Sequence, residues 1–405
     1  MASTAALPWR FRSRPSAPPF VNGGSGLLDM IREESIGPGR QPAPLFICGN
    51  ARGGTTLLVW LLDGHPDLFV LPTETQIYPV LATRPPARWL LRVAELTGWR
   101  RGVALLANPA LARFSFAGRQ ALADRLRLWA GEYSASRTLA DGAIDAAALR
   151  VHGPHEYWYA FLDVFSQFSG SALEGKRYWV EKTPGAERFA PVSDVWCGRA
   201  CRFLHVIRDP RDFVASTLLR RTRLRGVAHR GQEIVGLCSS WSRSLTWCLH
   251  GLRTLPGRYH ALRYEDMVHD PGGTMEAVCA LLGIPMHANL LTPTRMGEQV
   301  RLNSSDLSAA GSPGEVVTSR VGRFAESFTT AELATIERLL GAQMEACGYL
   351  PSGTSVHASG LLLDEFDPDA RNHPRTRRIA RRLARRQAAW RGSTVPFIGS
   401  GADGR

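Results

Sequence analysis

The chain contains the sequence LFICGNARGGTTLL at residues 45–58. An apolar run typical of a buried strand leads into a glycine-rich turn, and two threonines and the apolar start of a helix follow. Such a strand–loop–helix unit presents backbone N–H groups and a helix N-terminus to an anion, so it predicts a phosphate-binding loop. Gly49 and Gly54 have the spacing of the nucleotide loop G-x-x-x-x-G-K-[ST], but Thr55 replaces its lysine. That lysine binds the β- and γ-phosphates of a nucleoside triphosphate. Because it is missing here, we expect a ligand with one 5′ anionic group instead of a triphosphate.

A second strand, charged turn and helix are predicted at residues 201–216, CRFLHVIRDPRDFVAS. Arg208 ends the strand, and Ser216 lies two turns into the helix on a face that looks back towards the turn. An arginine fork with a nearby hydroxyl suits a terminal phosphate. Taken alone, Arg208 and Asp209 could form a local ion pair, and the first loop could be a tight turn without a ligand.

Four apolar segments predict strands, and helical stretches separate them. They cover residues 44–49, 177–182, 202–208 and 258–264. This alternation predicts an α/β fold with a parallel sheet flanked by helices, of the phosphate-loop nucleotide-binding type. Ligands of such sheets bind beyond the carboxyl ends of the strands, which is where the glycine-rich turn and the charged turn lie.

Five segments, in the same order, resemble the motifs of sulfotransferases that use 3′-phosphoadenosine-5′-phosphosulfate (PAPS). They are RGGTTL at 52–57, YWVEKTP at 178–184, CRFLHVIRDPRDFVAS at 201–216, LRYEDMV at 262–268 and TSRVGRF at 318–324. Phe324 stands where the family usually has tryptophan. The style of the motifs is closest to the tyrosylprotein, carbohydrate and bacterial branches. The resemblance implies the sulfotransferase fold and transfer of a sulfuryl group to a hydroxyl acceptor.

The resemblance also implies a binding site for PAPS and its bisphosphate product PAP. The residues expected to hold this nucleotide are Arg52, Gly53, Gly54, Thr55, Thr56, Arg208, Ser216, Tyr264, Arg320 and Gly322. Within this set, Arg208 and Ser216 match the two ligands of the 3′-phosphate. Tyr264 is expected in the core or near the nucleotide. A surface turn is the alternative for Arg320 and Gly322.

Three residues are expected to act on the transferring group. Arg52 is expected to stabilise the leaving group by charge and hydrogen bonds, because arginine is a poor proton donor. Lys182 matches the family lysine that bridges the nucleotide and the sulfuryl group. Ser319 matches a serine near that group.

Glu74 is the candidate base. The segment PTET at residues 72–75 resembles the E-E-T segment of tyrosylprotein sulfotransferases, whose second glutamate accepts the acceptor proton. A helix-capping or salt-bridged glutamate is the alternative. His155 and His152 are the fallback bases, since other branches of the family use histidine.

Composition divides the chain into three parts. Residues 1–40 form a Pro/Gly-rich extension, 41–350 the sulfotransferase domain and 351–405 an arginine-rich tail. Within the domain, residues 84–175 are expected to form a helical acceptor side. Its aromatic run from residue 155 to 168 would stack on a sugar or a phenol, or else pack helices together.

The net charge of +13 is concentrated in the tail, where residues 371–391 contain nine arginines and no acid. Residues 377–390 predict a helix with Ile379, Leu383 and Trp390 on one side. This segment is either a solvated, frayed tail or a surface that holds anionic lipid or a polyanionic acceptor. Nucleic acid is not expected, because no reader motif accompanies the charge.

The remaining features indicate a cytoplasmic protein without a metal. No run of 18 apolar residues exists, and the N-terminus lacks an apolar stretch of signal-peptide length. The seven cysteines lack zinc-site spacing, so reduced thiols are expected. A nucleotide kinase or NTPase remains an alternative function, although it needs the loop lysine that is missing. A non-catalytic nucleotide-binding protein is another.

Overall fold

The computed structural model describes residues 42–72, 74–75, 123–124, 126–127, 154–169, 172–197, 199–301, 311–352 and 373–399. Five strands form one sheet: β1 Ala43–Cys48, β2 Leu68–Val70, β3 Tyr178–Lys182, β4 Arg202–Ile207 and β5 Tyr259–Arg263. The order is β2-β3-β1-β4-β5, and every pairing is parallel. The four predicted strands are confirmed to within one residue at each end, and β2 is an addition.

Helices separate the strands and follow the last one. They are α1 Thr55–Leu62, α2 Pro154–Ser169, α3 Ala190–Trp196, α4 Pro210–Arg225, α5 Arg230–Thr254, α6 Tyr264–His269, α7 Pro271–Leu282, α8 Thr330–Ala346 and α9 Pro374–Gln387. A short antiparallel pair, β6 Thr294–Arg295 and β7 Glu298–Gln299, follows α7. Two 3₁₀ turns, Thr318–Arg320 and Arg323–Glu326, form what we call the late loop, residues 318–326.

Alternate residues of β1 point into two apolar cores, one on each face of the sheet. Phe46 and Cys48 join a core that includes residues of α2, α5, α8 and α9. Leu45 and Ile47 join a core built with α1, α6 and α7. Because helices cover both faces, β1 buries apolar side chains on each side of the sheet instead of alternating between apolar and polar residues. The predicted α/β class is confirmed.

The aromatic side chains of α2 pack in the interior. Tyr157, Trp158 and Phe161 are fully buried, and the Trp158 ring lies 5.2 Å from that of Phe46. For these three rings the helix-packing alternative is confirmed, because the core covers them and leaves no face for an acceptor. His152, the side chains of His155 and Phe168, and most of residues 84–153 lie outside the described residues.

The arginine-rich segment forms a docked helix, α9. Leu383 and Trp390 are buried and Ile379 is half-buried, as the predicted stripe requires. The side chain of Gln387 accepts a hydrogen bond from Ala342 N at 2.8 Å and donates one to Leu339 O at 2.6 Å. The frayed-tail interpretation is therefore wrong for residues 373–399. None of the helices in the described ranges has the length and apolar character needed to cross a bilayer.

Candidate active site

The loop between β1 and α1 ends in an uncapped helix N-terminus. Gly53 N–H donates to Asn50 O at 2.9 Å, which closes the turn. Gly54 then begins α1 with a φ of 100°, and no side chain caps this helix. The first N–H groups of a helix have no carbonyl partner within it, so an anion can bind them. A Cβ on Gly54 would overlap the Tyr264 ring, so glycine is required there.

A cleft opens over this loop at the carboxyl ends of the strands. Its lining residues are Ala51, Arg52, Gly54, Thr55, Thr56, Leu57, Trp60, Glu74, Lys182, Pro184, Arg208, Arg220, Tyr264 and Arg320. The empty volume is about 860 Å³ including the open mouth, which lies within the range of small-molecule pockets. Most of the predicted site residues meet here. The predicted residues outside this lining are Gly53, Ser216, Ser319 and Gly322.

The buried guanidinium of Arg208 contacts three parts of the cleft. Its Nη1 donates to Arg52 O at 3.4 Å, and its Nη2 donates to Arg320 O at 2.7 Å. Its Cζ lies 4.5 Å from the centre of the Tyr264 ring, a cation–π distance. An Asp212 carboxylate oxygen is 3.8 Å from Nη2. Arg208 thereby joins the loop between β1 and α1, the end of β5 and the late loop.

Arg52 contacts Ser216, one of the two residues that the resemblance implies as ligands of the 3′-phosphate. Arg52 Nε donates to Ser216 Oγ at 3.3 Å. Burial, together with the positive charges of Arg220 and Arg208, lowers the pKa of Arg52 to about 10. Arg320 adds to this repulsion. The cleft is therefore strongly cationic and suits a ligand with several negative charges.

Arg220 lines the cleft and is absent from the residues predicted from the sequence. It lies in α4, one helical turn beyond Ser216, and its exposed side chain lines the cleft. Residues four apart share one face of a helix. The sequence signal for Arg220 is this spacing, because Ser216 is expected on the face of the helix that looks back at the turn.

Glu74 and Lys182 form an ion pair inside the cleft. Lys182 Nζ lies 2.7 Å from Glu74 Oε1 and donates to Thr56 Oγ1 at 3.2 Å. The Lys182 side chain is 16% exposed and the Glu74 side chain is 28% exposed, so an acceptor can reach them. A base and a purely structural ion pair are both compatible with this geometry, and the Glu74→Gln variant separates them.

The backbone beside Glu74 is fixed by buried partners. The N–H and Oγ1 of Thr75 donate to Glu181 Oε1 at 3.3 and 2.8 Å. The hydroxyl of Tyr157 donates to Thr75 O at 3.0 Å. Burial raises the pKa of Glu181. Since Glu181 and Lys182 are consecutive in β3, one strand end positions both members of the ion pair.

The late loop is attached to α4 through Asp212. The carboxylate of Asp212 accepts hydrogen bonds from Gly322 N at 2.8 Å and Phe324 N at 2.9 Å. This attachment carries Arg320 into the cleft lining, while Ser319 is exposed and outside it. The contact of Ser319 with a transferring group stays a prediction.

A chain of buried polar groups lies beneath the loop between β1 and α1. Glu187 Oε2 accepts a hydrogen bond from Gly49 N at 3.4 Å, and its Oε1 accepts one from Ser244 Oγ at 2.7 Å. The Ser244 hydroxyl also lies 3.3 Å from His205 Nε2. Burial lowers the pKa of His205 to about 4, so its imidazole is neutral near pH 7. These groups hold the start of the loop from below and were not predicted.

The turn after β4 is fastened to the end of β5. Asp209 N donates to Glu265 Oε1 at 2.9 Å, and the Tyr349 hydroxyl donates to Glu265 Oε2 at 2.8 Å. Burial raises the pKa of Glu265 to about 7. Arg208 and Tyr264, the residues that precede this pair in the chain, are thereby held at fixed positions in the cleft.

The chain is similar to known proteins. The model of the family described as "Sulfotransferase family" matches residues 44–288. Nodulation protein NoeE of Sinorhizobium fredii (strain NBRC 101917 / NGR234) is 26% identical over 342 residues, which cover 79% of this chain and 70% of that protein.

Two solved structures are also similar. The sulfotransferase domain from the Synechococcus PCC 7002 olefin synthase has a TM-score of 0.40 at 20% identity, covering 87% of this chain and 98% of that one. The sulfotransferase domain from the curacin biosynthetic pathway has a TM-score of 0.39 at 19% identity, covering 88% and 100%. Because the family match at residues 44–288 spans more than half of the sequence, the chain belongs to the sulfotransferase family.

Proposed function

We propose that this chain transfers the sulfuryl group of PAPS to a hydroxyl acceptor, which is a sugar, a lipid-linked glycan, a natural product or a tyrosine. One observation carries the proposal beyond family membership. The two anion-binding segments predicted from sequence meet in a single cleft, where Arg208 Nη1 is 3.4 Å from Arg52 O. A nucleotide with an anionic group at each end can therefore contact both segments at once.

The residues of the cleft fit such a nucleotide. The uncapped first turn of α1, with the hydroxyls of Thr55 and Thr56, would hold the 5′ end. Arg208, Arg220 and Arg320 would hold the 3′-phosphate. PAPS supplies the sulfuryl group, whose bond to the 5′-phosphate oxygen breaks as a bond to the acceptor oxygen forms.

The roles of the reactive side chains follow from their positions. Glu74 accepts the proton of the acceptor hydroxyl at a carboxylate oxygen, because it lines the cleft beside the phosphate loop. Lys182 holds that carboxylate at 2.7 Å and reaches Thr56 at 3.2 Å, so one positive charge serves both the base and the loop. Arg52 stabilises negative charge without giving up a proton.

Binding and transfer measurements test the proposal. We expect PAP to bind at least tenfold more tightly than 5′-AMP in calorimetric titrations, because a 3′-phosphate adds charged hydrogen bonds. We also expect radiolabel to pass from PAPS to an acceptor in a metabolite extract. Failure to bind PAP would overturn the proposal. Magnesium-dependent ATP hydrolysis would favour the kinase alternative, and tight PAP binding without transfer would favour a non-catalytic nucleotide-binding protein.

Arg220→Gln is expected to weaken PAP binding about tenfold and 5′-AMP binding little. The reason is the loss of one charged hydrogen bond to the 3′-phosphate at a solvent-exposed position. Arg223→Gln is the matched control, since Arg223 is an exposed arginine of the same helix outside the cleft lining. Calorimetric titration of both nucleotides measures the effect. Equal losses in the two variants would remove Arg220 from the site.

A further inference from the structure

The outward face of α9 carries a dense set of arginines. These are Arg375, Arg377, Arg378, Arg381, Arg382, Arg385 and Arg386, and all are exposed. Within the part of the chain that the structure describes, none of them forms an ion pair with a carboxylate. The helix has 14 residues and is about 21 Å long. Seven positively charged side chains along this length repel one another unless anions bind to them.

The opposite face of α9 is already occupied by the protein. Thr376, Ala380 and Leu383 are buried, and Ala380 and Leu383 belong to the core that α5 and α8 also enter. The hydrogen bonds of Gln387 to α8 fix the helix at its C-terminal end. Thus α9 cannot insert an apolar face into a bilayer, and it cannot rotate its arginines away from solvent. Whatever binds this face binds it by charge.

We propose that this arginine face binds the anionic surface of a lipid membrane. Charged clusters of this size on an amphipathic helix suit anionic headgroups, and guanidinium forks match phosphate oxygens. A membrane presents phosphates over a continuous plane, which fits charges spread along the whole length of a docked helix. Base recognition in a nucleic acid is disfavoured, because Gln387 bonds to α8 and Trp390 is buried, so neither can contact a base.

Vesicle co-sedimentation of the full-length protein tests this proposal. We expect the protein to bind vesicles of phosphatidylcholine mixed with phosphatidylglycerol and not to bind vesicles of phosphatidylcholine alone. High ionic strength should dissociate the protein from the anionic vesicles. Replacing Arg378, Arg381, Arg382 and Arg385 by glutamine should weaken binding several-hundredfold, at roughly fivefold per arginine. The helix should persist, since glutamine and arginine have similar helix propensities.

The control removes four exposed arginines from elsewhere. It carries Arg223→Gln, Arg243→Gln, Arg253→Gln and Arg301→Gln, all at exposed positions. It should lose far less vesicle affinity, and an unchanged melting temperature in both variants shows that the fold is intact. Equal losses in the two variants would overturn the proposal, as would binding to neutral vesicles. Tighter binding to duplex DNA or to a sulfated polysaccharide than to anionic vesicles at the same salt would also overturn it. None of these outcomes depends on the proposed transferase activity.

Discussion

Glu74→Gln is expected to lower kcat for sulfuryl transfer by a factor of about 10² to 10⁴, the usual contribution of a general base. The amide keeps the shape of the side chain and still accepts a hydrogen bond from Lys182, which lies 2.7 Å from Glu74. It cannot accept a proton from the acceptor. PAP affinity should therefore stay within about threefold of wild type, because the bound nucleotide does not require the base. Label transfer from PAPS and PAP titration measure the two effects separately.

Glu345→Gln is the matched control for this prediction. Glu345 is an exposed glutamate near the end of α8 and does not line the cleft. Its substitution should leave both transfer and PAP affinity unchanged. Full activity of Glu74→Gln would assign Glu74 to the structural ion pair, and His155 and His152 would become the bases to test.

Gly54→Ala is expected to abolish measurable PAP binding and to destabilise the protein by about 2–5 kcal/mol. Gly54 has a φ of 100°, which costs an alanine about 1–2 kcal/mol. Its Cβ would also overlap the ring of Tyr264, and overpacking adds about 1–3 kcal/mol. Because the guanidinium of Arg208 lies 4.5 Å from the centre of that ring, displacing Tyr264 displaces Arg208 as well. Thermal unfolding and PAP titration report the two effects.

Gly185→Ala separates backbone strain from overlap. Gly185 has a φ of 82°, but a Cβ there would meet no heavy atom within 4 Å. We expect a stability loss of about 1–2 kcal/mol from the backbone alone, with PAP affinity unchanged. If Gly54→Ala were no worse than this control in both measurements, the contact between Gly54 and Tyr264 would not be important for the site.

The strands were predictable because each is a short apolar run that ends at a glycine or a charged turn. Ligand-binding loops in a parallel sheet follow strand ends, so the sequence alone assigns Arg52 and Arg208 to one edge of the sheet. The three-residue strand β2 was missed, since a run as short as Leu68–Val70 has no detectable period. Strand order also lies beyond the sequence pattern, because it depends on how the helices pack across both faces.

The sequence predicts which residues line the cleft better than it predicts which of their side chains contact one another. Lys182 and Glu74 were both candidates, but nothing in their separation along the chain indicates that Nζ and Oε1 lie 2.7 Å apart. Likewise Ser216 could be placed on the correct helix face, whereas its partner Arg52 comes from another strand end. Contacts between loops depend on tertiary geometry, and local periodicity contains no information about them.

Four arginines face one cleft and repel one another, which lowers the stability of the folded protein when no anion is bound. They are Arg52, Arg208, Arg220 and Arg320. Mutual repulsion of these guanidinium groups reduces the free energy of unfolding, and a bound dianion restores what was lost. The arrangement thus lowers the stability of the protein in exchange for affinity towards anions. Inorganic phosphate or sulfate would relieve the same repulsion, so a thermal-shift assay in such buffers underestimates the gain on adding nucleotide.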